Sequence, residues 1–304
     1  MSQLAQAETA GLRETPVTQA VSIVVPAYNE ERGIGAQIEK LREVMSRSTW
    51  QWELIVVDDG STDGTAQQVE QHAARLIRQP RNRGYGAALK AGIAAAKNEL
   101  VVIIDADGTY PAEEIPKMLE LAAGCDMVVG ARVGQNVNIP FVRKPAKWFL
   151  ARLAGYLAEQ PIPDLNSGLR VLRKSLVQKF QHLLPSGFSF TTTITLALLC
   201  SECYVIYHPI EYHKRVGDSK IRPKHAYQFL LLILRTVIYF NPLRVFLPLG
   251  AVFFLAGLAK LVYDIMLANL SESAVMAILT AVILWSVGML ADQISKVSLF
   301  LKGR

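Results

Sequence analysis

The amino-terminal part of this chain alternates short apolar runs with helix-like segments, and few folds accept that pattern. Val21–Pro26 is a β-branched run typical of a buried parallel strand, and Glu31–Ser46 follows it with apolar residues at helical spacing. Trp52–Val57, Leu100–Asp105 and Asp126–Gly130 repeat the strand pattern further along. Strands that alternate with helices build an open, mostly parallel sheet with helices on both faces. We therefore predict an α/β fold here.

Charged side chains follow several of these predicted strands at the point where each strand ends. Asp58 follows the second of the strands named above, Asp105 closes a later one, and Arg132 comes just after the last. Open α/β sheets bind their ligands at the carboxyl ends of the strands. We expect these side chains to meet at one edge of the sheet.

The segment Asp105-Ala106-Asp107 gives the strongest local indication of chemistry. Two carboxylates at positions i and i+2 after a strand can converge on one hard cation, which then neutralises a diphosphate. The alternative is a solvated, aspartate-rich turn. The charged ends of the other strands favour the metal interpretation.

Three further features of the sequence say less about function. Arg83–Leu89 half-matches a dinucleotide-binding loop, but its third glycine is missing and it does not follow the first strand, so a Rossmann dehydrogenase is disfavoured. Cys200 and Cys203 form a lone CxxC with no histidine at ligand spacing, and we expect reduced core thiols. The net charge of +6 suits anionic lipid, nucleic acid or phosphorylated substrates and does not choose among them.

The chain becomes strongly apolar from Leu243 onward. Val275–Ala291 holds 17 residues without a charge, and such a helix spans roughly 26 Å, close to the thickness of a bilayer core. Leu243–Leu267 is also apolar, with three charged exceptions, Arg244, Lys260 and Asp264. A pair of buried core helices is the alternative, but a soluble protein rarely needs two such stretches in succession. With the short linker Ala268–Ser273, the sequence predicts a transmembrane hairpin, in which Lys260 is expected to snorkel.

Positive residues flank this hairpin on both sides. Arg235 and Arg244 precede it, and three cations follow Val275–Ala291, namely Lys296, Lys302 and Arg304. By the positive-inside rule, both ends of the hairpin face the cytosol. Residues 1–18 contain no apolar core of signal-peptide length, so we expect the catalytic part to stay in the cytosol as well.

Lys224–Phe240 connects the two parts of the chain. It is apolar with a basic start and a single arginine, which suits a helix in the plane of the lipid headgroups, although a plain core helix is the alternative. The predicted organisation is a flexible tail over 1–18, a catalytic domain over 19–222, an interfacial amphipathic helix over 223–241 and a two-helix transmembrane hairpin over 242–304.

Three strand-end motifs, PAYNE at 26–30, DDGS at 58–61 and DAD at 105–107, together resemble the family 2 glycosyltransferases, which have the GT-A fold. The likeness covers about residues 20–220 and implies a Rossmann-like, mostly parallel catalytic domain. It also implies that Asp105 and Asp107 hold Mg²⁺ or Mn²⁺ against the diphosphate of a nucleotide-sugar. The implied nucleotide-sugar pocket consists of Pro26, Tyr28, Glu30, Asp58, Asp59 and Ala106.

Further basic motifs resemble dolichol-phosphate mannose synthase and its bacterial polyprenyl-phosphate relatives. They are Arg132 at a strand end, the cluster of Arg143, Lys144 and Lys147, the segment 164–170 and the loop 215–220. Taken singly, each is better explained as a surface charge or a turn. Together they imply that the lipid phosphate is bound by Arg132, Arg143, Lys147 and Ser167. They also imply that Arg215 and Lys220 close over the diphosphate of the donor.

One position departs from this pattern. Family members often carry glutamine two residues after the second aspartate of the DxD motif, where it helps to hold the metal, and this chain has Thr109. A threonine hydroxyl is a workable oxygen ligand, but it is shorter than a glutamine amide. We expect Thr109 to act through water instead of as a direct metal ligand. Because the chain departs from the family at this position, the resemblance does not identify the sugar donor.

The resemblance implies inverting transfer of a hexose from a UDP- or GDP-sugar to a polyprenyl or dolichyl phosphate, at the cytosolic face of a membrane. A phosphate is already an anionic nucleophile near neutral pH, so no strong general base is needed. A sugar-hydroxyl or glycolipid acceptor is the alternative, and a membrane scaffold without turnover is a further one. The expected partners are donor, lipid phosphate and bilayer, without nucleic acid and with a homo-oligomer left open. The expected location is a bacterial or archaeal cell membrane, or the endoplasmic reticulum of a eukaryote.

Overall fold

The computed structural model describes residues 19–132, 155–156, 161–212, 224–267 and 271–302, with only the backbone considered for 224–230 and 298–302. Its strands are β1 (Ala20–Ala27), β2 (Gln51–Asp58), β3 (Arg75–Arg78), β4 (Leu100–Ile103), β5 (Met127–Arg132), β6 (Arg170–Arg173) and β7 (Val205–Ile210). Its α-helices are α1 (Ile34–Ser46), α2 (Thr65–Gln71), α3 (Tyr85–Ala95), α4 (Ile115–Leu121), α5 (Lys174–Phe180), α6 (Phe190–Leu199), α7 (Lys224–Phe240), α8 (Leu243–Met266) and α9 (Glu272–Lys302).

The strands form a mixed sheet in the order β3-β2-β1-β4-β6-β5-β7. β1 to β4 are mutually parallel and β5 is parallel to β7, as the alternation predicted, whereas β6 is antiparallel to both β4 and β5. The start of β6 therefore lies at the edge where the neighbouring parallel strands end. This reversal brings the segment that precedes β6 to the same edge as Asp58 and Asp105.

Apolar layers cover both faces of the sheet, because successive strand residues point to opposite sides. On one face Ile34, Ile38 and Leu41 of α1 pack fully buried against the strands, together with α4. The other face is covered by α3, α5 and α6, where Phe190 is fully buried. Burying one such side chain contributes about 1.5–3 kcal/mol, so these layers fix the strands whose ends form the site.

The helix α7 packs one side against the catalytic core. Ile233 and Val237 are fully buried in the same cluster as Phe190, and the Phe240 ring meets that of Phe180 edge-on at 5.9 Å between centroids. Leu231 is exposed on the same helix. Among the described side chains of α7, one side therefore packs into the core, while the apolar side chain of Leu231 is exposed to solvent.

The helices α8 and α9 are both long and apolar enough to cross a membrane, and most of each apolar window is exposed, with 11% and 17% buried. They pack on one another through glycines: a Cβ on Gly250 would lie 2.4 Å from Trp285, and one on Gly288 would lie 2.6 Å from Phe246. Trp285 also donates its indole N–H to the Leu247 carbonyl at 3.1 Å. The exposure of their apolar surface argues against the alternative of two buried core helices.

Lys260, one of three charged residues within α8, has a partner near the turn of the hairpin. Its ammonium pairs with the buried carboxylate of Asp264, one helical turn further on. Asp264 also accepts hydrogen bonds from the backbone N–H and the hydroxyl of Ser271. Lys260 and Asp264, the two charges inside the apolar part of α8, are thus paired with each other.

Candidate active site

The loops after β1 and β2 are tied together by hydrogen bonds at the edge of the sheet. The amide of Asn29 donates to the Ser61 hydroxyl at 3.0 Å, and the Asn29 side chain accepts from the Thr62 amide at 2.9 Å. Asn29 has a φ of 55°, in the left-handed region that asparagine tolerates better than most residues. Beside this turn, the Glu30 amide donates to the Thr65 hydroxyl at 2.9 Å, and Tyr28 is 37% exposed. The PAYNE motif is therefore a fixed turn that presents Tyr28 to solvent next to buried Pro26.

The paired aspartates after β2 have different partners. Asp58 is buried and accepts from the Ser61 amide at 2.9 Å, which orders the turn of its own loop. Asp59 accepts from the amides of Arg83 and Gly84, at 2.9 and 2.8 Å. Gly84 has a φ of 100° at the start of α3, a conformation that favours glycine. Asp59 thus fixes the loop that leads into α3.

Asp105 lies between a tyrosine and a glycine. The Tyr85 hydroxyl donates to its Oδ1 at 2.9 Å. Burial, with a further contribution from Asp105 itself, raises the pKa of Tyr85 well above its usual range, so the phenol stays protonated and keeps donating. On another side, a Cβ on Gly168 would lie only 2.5 Å from Oδ2 of Asp105, so no other residue fits there without a shift.

Asp107 is oriented by the residue that departs from the family pattern. Thr109 is buried, and both its amide and its hydroxyl meet Oδ1 of Asp107, at 3.1 and 2.6 Å. Gly108 between them has a φ of 69°, which lets the turn close. This geometry supports an indirect role for Thr109, with its hydroxyl directed at a carboxylate.

The carboxylates of this site suit a divalent cation that is bound partly by the protein and partly by a substrate. Within the described ranges, no group of three or more Asp, Glu, His or Cys side chains could hold a metal by itself. Mg²⁺ is commonly bound by one or two carboxylates and completes its shell with substrate phosphates and water. Asp105 and Asp107 are two hard oxygen ligands on one turn, which suits that mode.

Arg132, at the end of β5, is held by Asp164. Its Nε and Nη2 donate to the two carboxylate oxygens at 2.6 and 2.8 Å, and its guanidinium lies over the Tyr212 ring at 5.4 Å from the centroid. Burial opposes ionisation of both partners, yet their hydrogen-bonded pairing lowers the pKa of Asp164 and raises that of Arg132. The pair is ionised at neutral pH and carries no net charge. Because Asp164 binds Nε and Nη2, these two nitrogens are not available to another ligand.

Arg170 has a structural role that the sequence did not predict. In the sequence it belongs to a motif assigned to the acceptor side or, alternatively, to a turn. It is fully buried at the start of β6 and donates to the carbonyls of Leu165 and Ser167 at 3.0 and 2.8 Å, and also to the Thr195 hydroxyl. Burial lowers its pKa. Arg170 therefore fixes the backbone of the segment 164–168 by hydrogen bonds to two of its carbonyls. Ser167, which belongs to that segment, is fully buried. The burial of Arg170 depends on the antiparallel course of β6, for which the sequence holds no local signal.

The structure thus brings together most of the predicted residues that it describes. Pro26, Asp58, Asp105, Arg132 and Ser167 all lie at or beside one edge of the sheet. The other basic residues assigned from the resemblance lie outside the described residues, namely Arg143, Lys144, Lys147, Arg215 and Lys220.

Family models match both parts of the chain. The Glycosyl transferase family 2 model matches residues 22–180, and the GtrB C-terminal hairpin model matches residues 241–297. The dolichyl-phosphate hexose transferase of Haloferax volcanii is 31% identical over 205 residues, which cover 67% of this chain and 87% of that protein. The undecaprenyl-phosphate 4-deoxy-4-formamido-L-arabinose transferase of Pectobacterium carotovorum is 32% identical over 250 residues, covering 78% of this chain and 73% of that protein.

Solved structures share the fold. The glucosyl-3-phosphoglycerate synthase of Mycobacterium tuberculosis, crystallised with Mn²⁺, UDP-glucose and phosphoglyceric acid, superposes with a TM-score of 0.57 at 22% identity. The match covers 72% of this chain and 80% of that one, and at this identity it supports the fold alone. With both models and the relatives in agreement, the chain belongs to glycosyl transferase family 2.

Proposed function

We propose that this protein transfers a sugar from a nucleotide-sugar to a polyprenyl or dolichyl phosphate at a membrane surface. The observation that carries the proposal is the segment 164–168, which touches both halves of the site. Gly168 lies against Asp105 on the donor side, while Asp164 holds Arg132 on the acceptor side. The activities for which the relatives are named, all transfers to polyprenyl or dolichyl phosphates, support the same assignment.

On the donor side, the chain's residues bind and orient the nucleotide-sugar. The pocket after β1 and β2 offers Tyr28 and the buried Asp58 to the nucleoside. Asp105 and Asp107 would hold the Mg²⁺ or Mn²⁺, which when bound offsets the charge of the diphosphate as it leaves. Tyr85 and Thr109 fix these two carboxylates by hydrogen bonds, so the site is ordered before the donor arrives.

On the acceptor side, the work is positional and electrostatic. Because the Arg132–Asp164 pair is neutral as a whole, the net positive charge for a phosphate must come from elsewhere, and Arg143 and Lys147 are the candidates. The acceptor phosphate attacks the anomeric carbon as the nucleoside diphosphate departs from the opposite side. One in-line displacement inverts the configuration and gives a β-linked product from an α-linked donor, and a phosphate nucleophile needs no strong base.

The helices α8 and α9 would hold this site at the bilayer, where the acceptor phosphate lies. Their lengths and exposed apolar surfaces suit two membrane spans. The cations that flank the hairpin favour a cytosolic position for both ends of the hairpin. The catalytic domain, which precedes the hairpin, would then also lie in the cytosol.

Separate titrations of donor and acceptor test the assignment of the two subsites. Arg143→Ala should mainly raise the KM for polyprenyl phosphate, since a charge-assisted bond to phosphate contributes about 1.5–3 kcal/mol, roughly ten- to a hundredfold. Asp58→Ala should do the reverse: it should raise the KM for the nucleotide-sugar and leave the KM for polyprenyl phosphate nearly unchanged. Arg143→Lys keeps the charge but loses the planar fork, so it should recover only part of the loss. Wild-type use of polyprenyl phosphate by Arg143→Ala would refute the acceptor site.

A further inference from the structure

Phe188 is an exposed aromatic residue beside the active site that the proposed mechanism does not use. It is 74% exposed, more than any other large hydrophobic residue in the described part of the catalytic domain. Its ring stacks on Tyr85, with 5.7 Å between centroids and 16° between planes. Since the Tyr85 hydroxyl donates to Asp105, only the tyrosine side chain separates Phe188 from the DAD motif.

The loop that carries Phe188 is fastened on both sides. The Ser186 carbonyl accepts from the Ala87 amide at 3.0 Å, at the start of α3. A Cβ on Gly86 would lie 2.3 Å from the Pro185 carbonyl oxygen, so the two backbones are in direct contact there. Two residues beyond Phe188, the fully buried Phe190 anchors the chain in the core. The phenyl ring is therefore presented to solvent by a fixed backbone.

The position of the loop also relates it to the proposed membrane attachment. α6 begins at Phe190 and packs against α7, which in turn packs against α8 and α9. Phe188 thus contacts a residue that binds the DAD motif, and along the chain it lies two residues before a helix that packs against α7. Its exposed phenyl ring is therefore carried by a segment that links the active site to the helices of the proposed membrane attachment.

We propose that Phe188, supported by Tyr85, binds the hydrocarbon next to the phosphate of the acceptor, that is, its first isoprene units. This inference rests on the proposed function. Of the two proposed substrates, the lipid brings by far the larger apolar surface, because its isoprene units carry no polar group. A phenyl ring gains free energy by removing such surface from water, but it cannot hydrogen-bond the hydroxyls of a sugar. Stacking on the donor sugar is the competing outcome of the test.

The experiment uses the full chain in detergent micelles and measures KM for donor and acceptor separately. The variants are Phe188→Ala, Phe188→Leu and, as a matched control, Tyr204→Ala. Tyr204 is 61% exposed just before β7, at the opposite edge of the sheet. A long polyprenyl phosphate and geranyl phosphate, which has only two isoprene units, serve as acceptors. Thermal unfolding of each variant checks that truncation of the exposed ring leaves the fold intact.

Phe188→Ala should raise the KM for both acceptors by about tenfold, leave the donor KM within about twofold, and be largely rescued by Phe188→Leu. Tyr204→Ala should match the wild type. An unchanged acceptor KM, an effect limited to the long lipid, or a raised donor KM would each overturn the subsite while leaving the proposed function intact. A wild-type protein that uses neither prenyl phosphate would overturn the proposed function, and the subsite with it.

Discussion

Single residues at this site divide into those that would touch substrates and those that hold them in place. Asp105 and Asp107 face the proposed donor, while Tyr85 and Thr109 bind their oxygens. In the acceptor half, Arg132 is likewise fixed by Asp164. Thr109 and Asp164 are buried and Tyr85 is partly buried, so their hydrogen bonds are shielded from competing water.

Asp107→Asn tests the donor side at this scale. The amide keeps the shape of the side chain but removes a negative ligand, so transfer should fall by about a hundredfold or more while the fold and membrane insertion persist. Thr109→Val removes only the orienting hydroxyl and should cost less. Rates are measured with added Mg²⁺ or Mn²⁺, and wild-type activity that survives a strong chelator would disprove the metal role.

The sequence predicted the strand-end residues well, because position at the end of an apolar run is a local property. The alternation of strands and helices is enough to place Asp58, Asp105 and Arg132 at one edge of the sheet. It could not reveal that Asp164 neutralises Arg132, or that Arg170 is buried. Both depend on how residues far apart in the chain meet, and no local pattern encodes that meeting.

Among the secondary-structure elements, β6 differs most from what the sequence predicted. Alternation with helices predicted parallel strands, yet β6 enters the sheet from the edge that holds the site. The segment 164–168 is thereby placed between Asp105 and Arg132 and fastened by Arg170. The hairpin is the opposite case, since apolar length and a short linker are local properties of the sequence. α8 matches its predicted range, and α9 contains the predicted Val275–Ala291 and extends beyond it at both ends.

Arg170→Met tests the role of this reversed strand. It leaves the buried Ser167 carbonyl and the partly buried Leu165 carbonyl without this donor, and the loss at the buried carbonyl alone costs about 1–3 kcal/mol. Unfolding should therefore occur at a markedly lower temperature, and the KM for polyprenyl phosphate should rise more than the donor KM. Arg173→Met, at the half-exposed end of the same strand, is the control and should change little. Equal effects of the two substitutions would contradict the assignment.

At the scale of the whole molecule, α7 joins the catalytic domain to the hairpin. Its buried face belongs to the core, and its Tyr239 carbonyl accepts from the Ser295 hydroxyl of α9. Arg244 of α8 donates to the Tyr156 carbonyl at 3.2 Å, a second connection between the two parts. These contacts give the site a defined position relative to the proposed membrane.

Removing residues 243–304 tests this arrangement. The truncated chain should no longer behave as an integral membrane protein, although α7 should still bind weakly to anionic lipid. Full-length protein should resist salt and carbonate extraction of membranes and dissolve only in detergent. Release of the full-length protein by carbonate alone would rule out the transmembrane hairpin.

The measurement closest to the central claim is the identity of the product. Purified protein is offered a panel of UDP- and GDP-sugars, each with a polyprenyl phosphate or with the matching unphosphorylated polyprenol, and the lipid products are identified by mass spectrometry. We predict one glycosylated species, a polyprenyl phosphate carrying a single sugar, formed only from the phosphorylated lipid with a divalent cation present. Equal glycosylation of the unphosphorylated polyprenol would contradict transfer to a lipid phosphate.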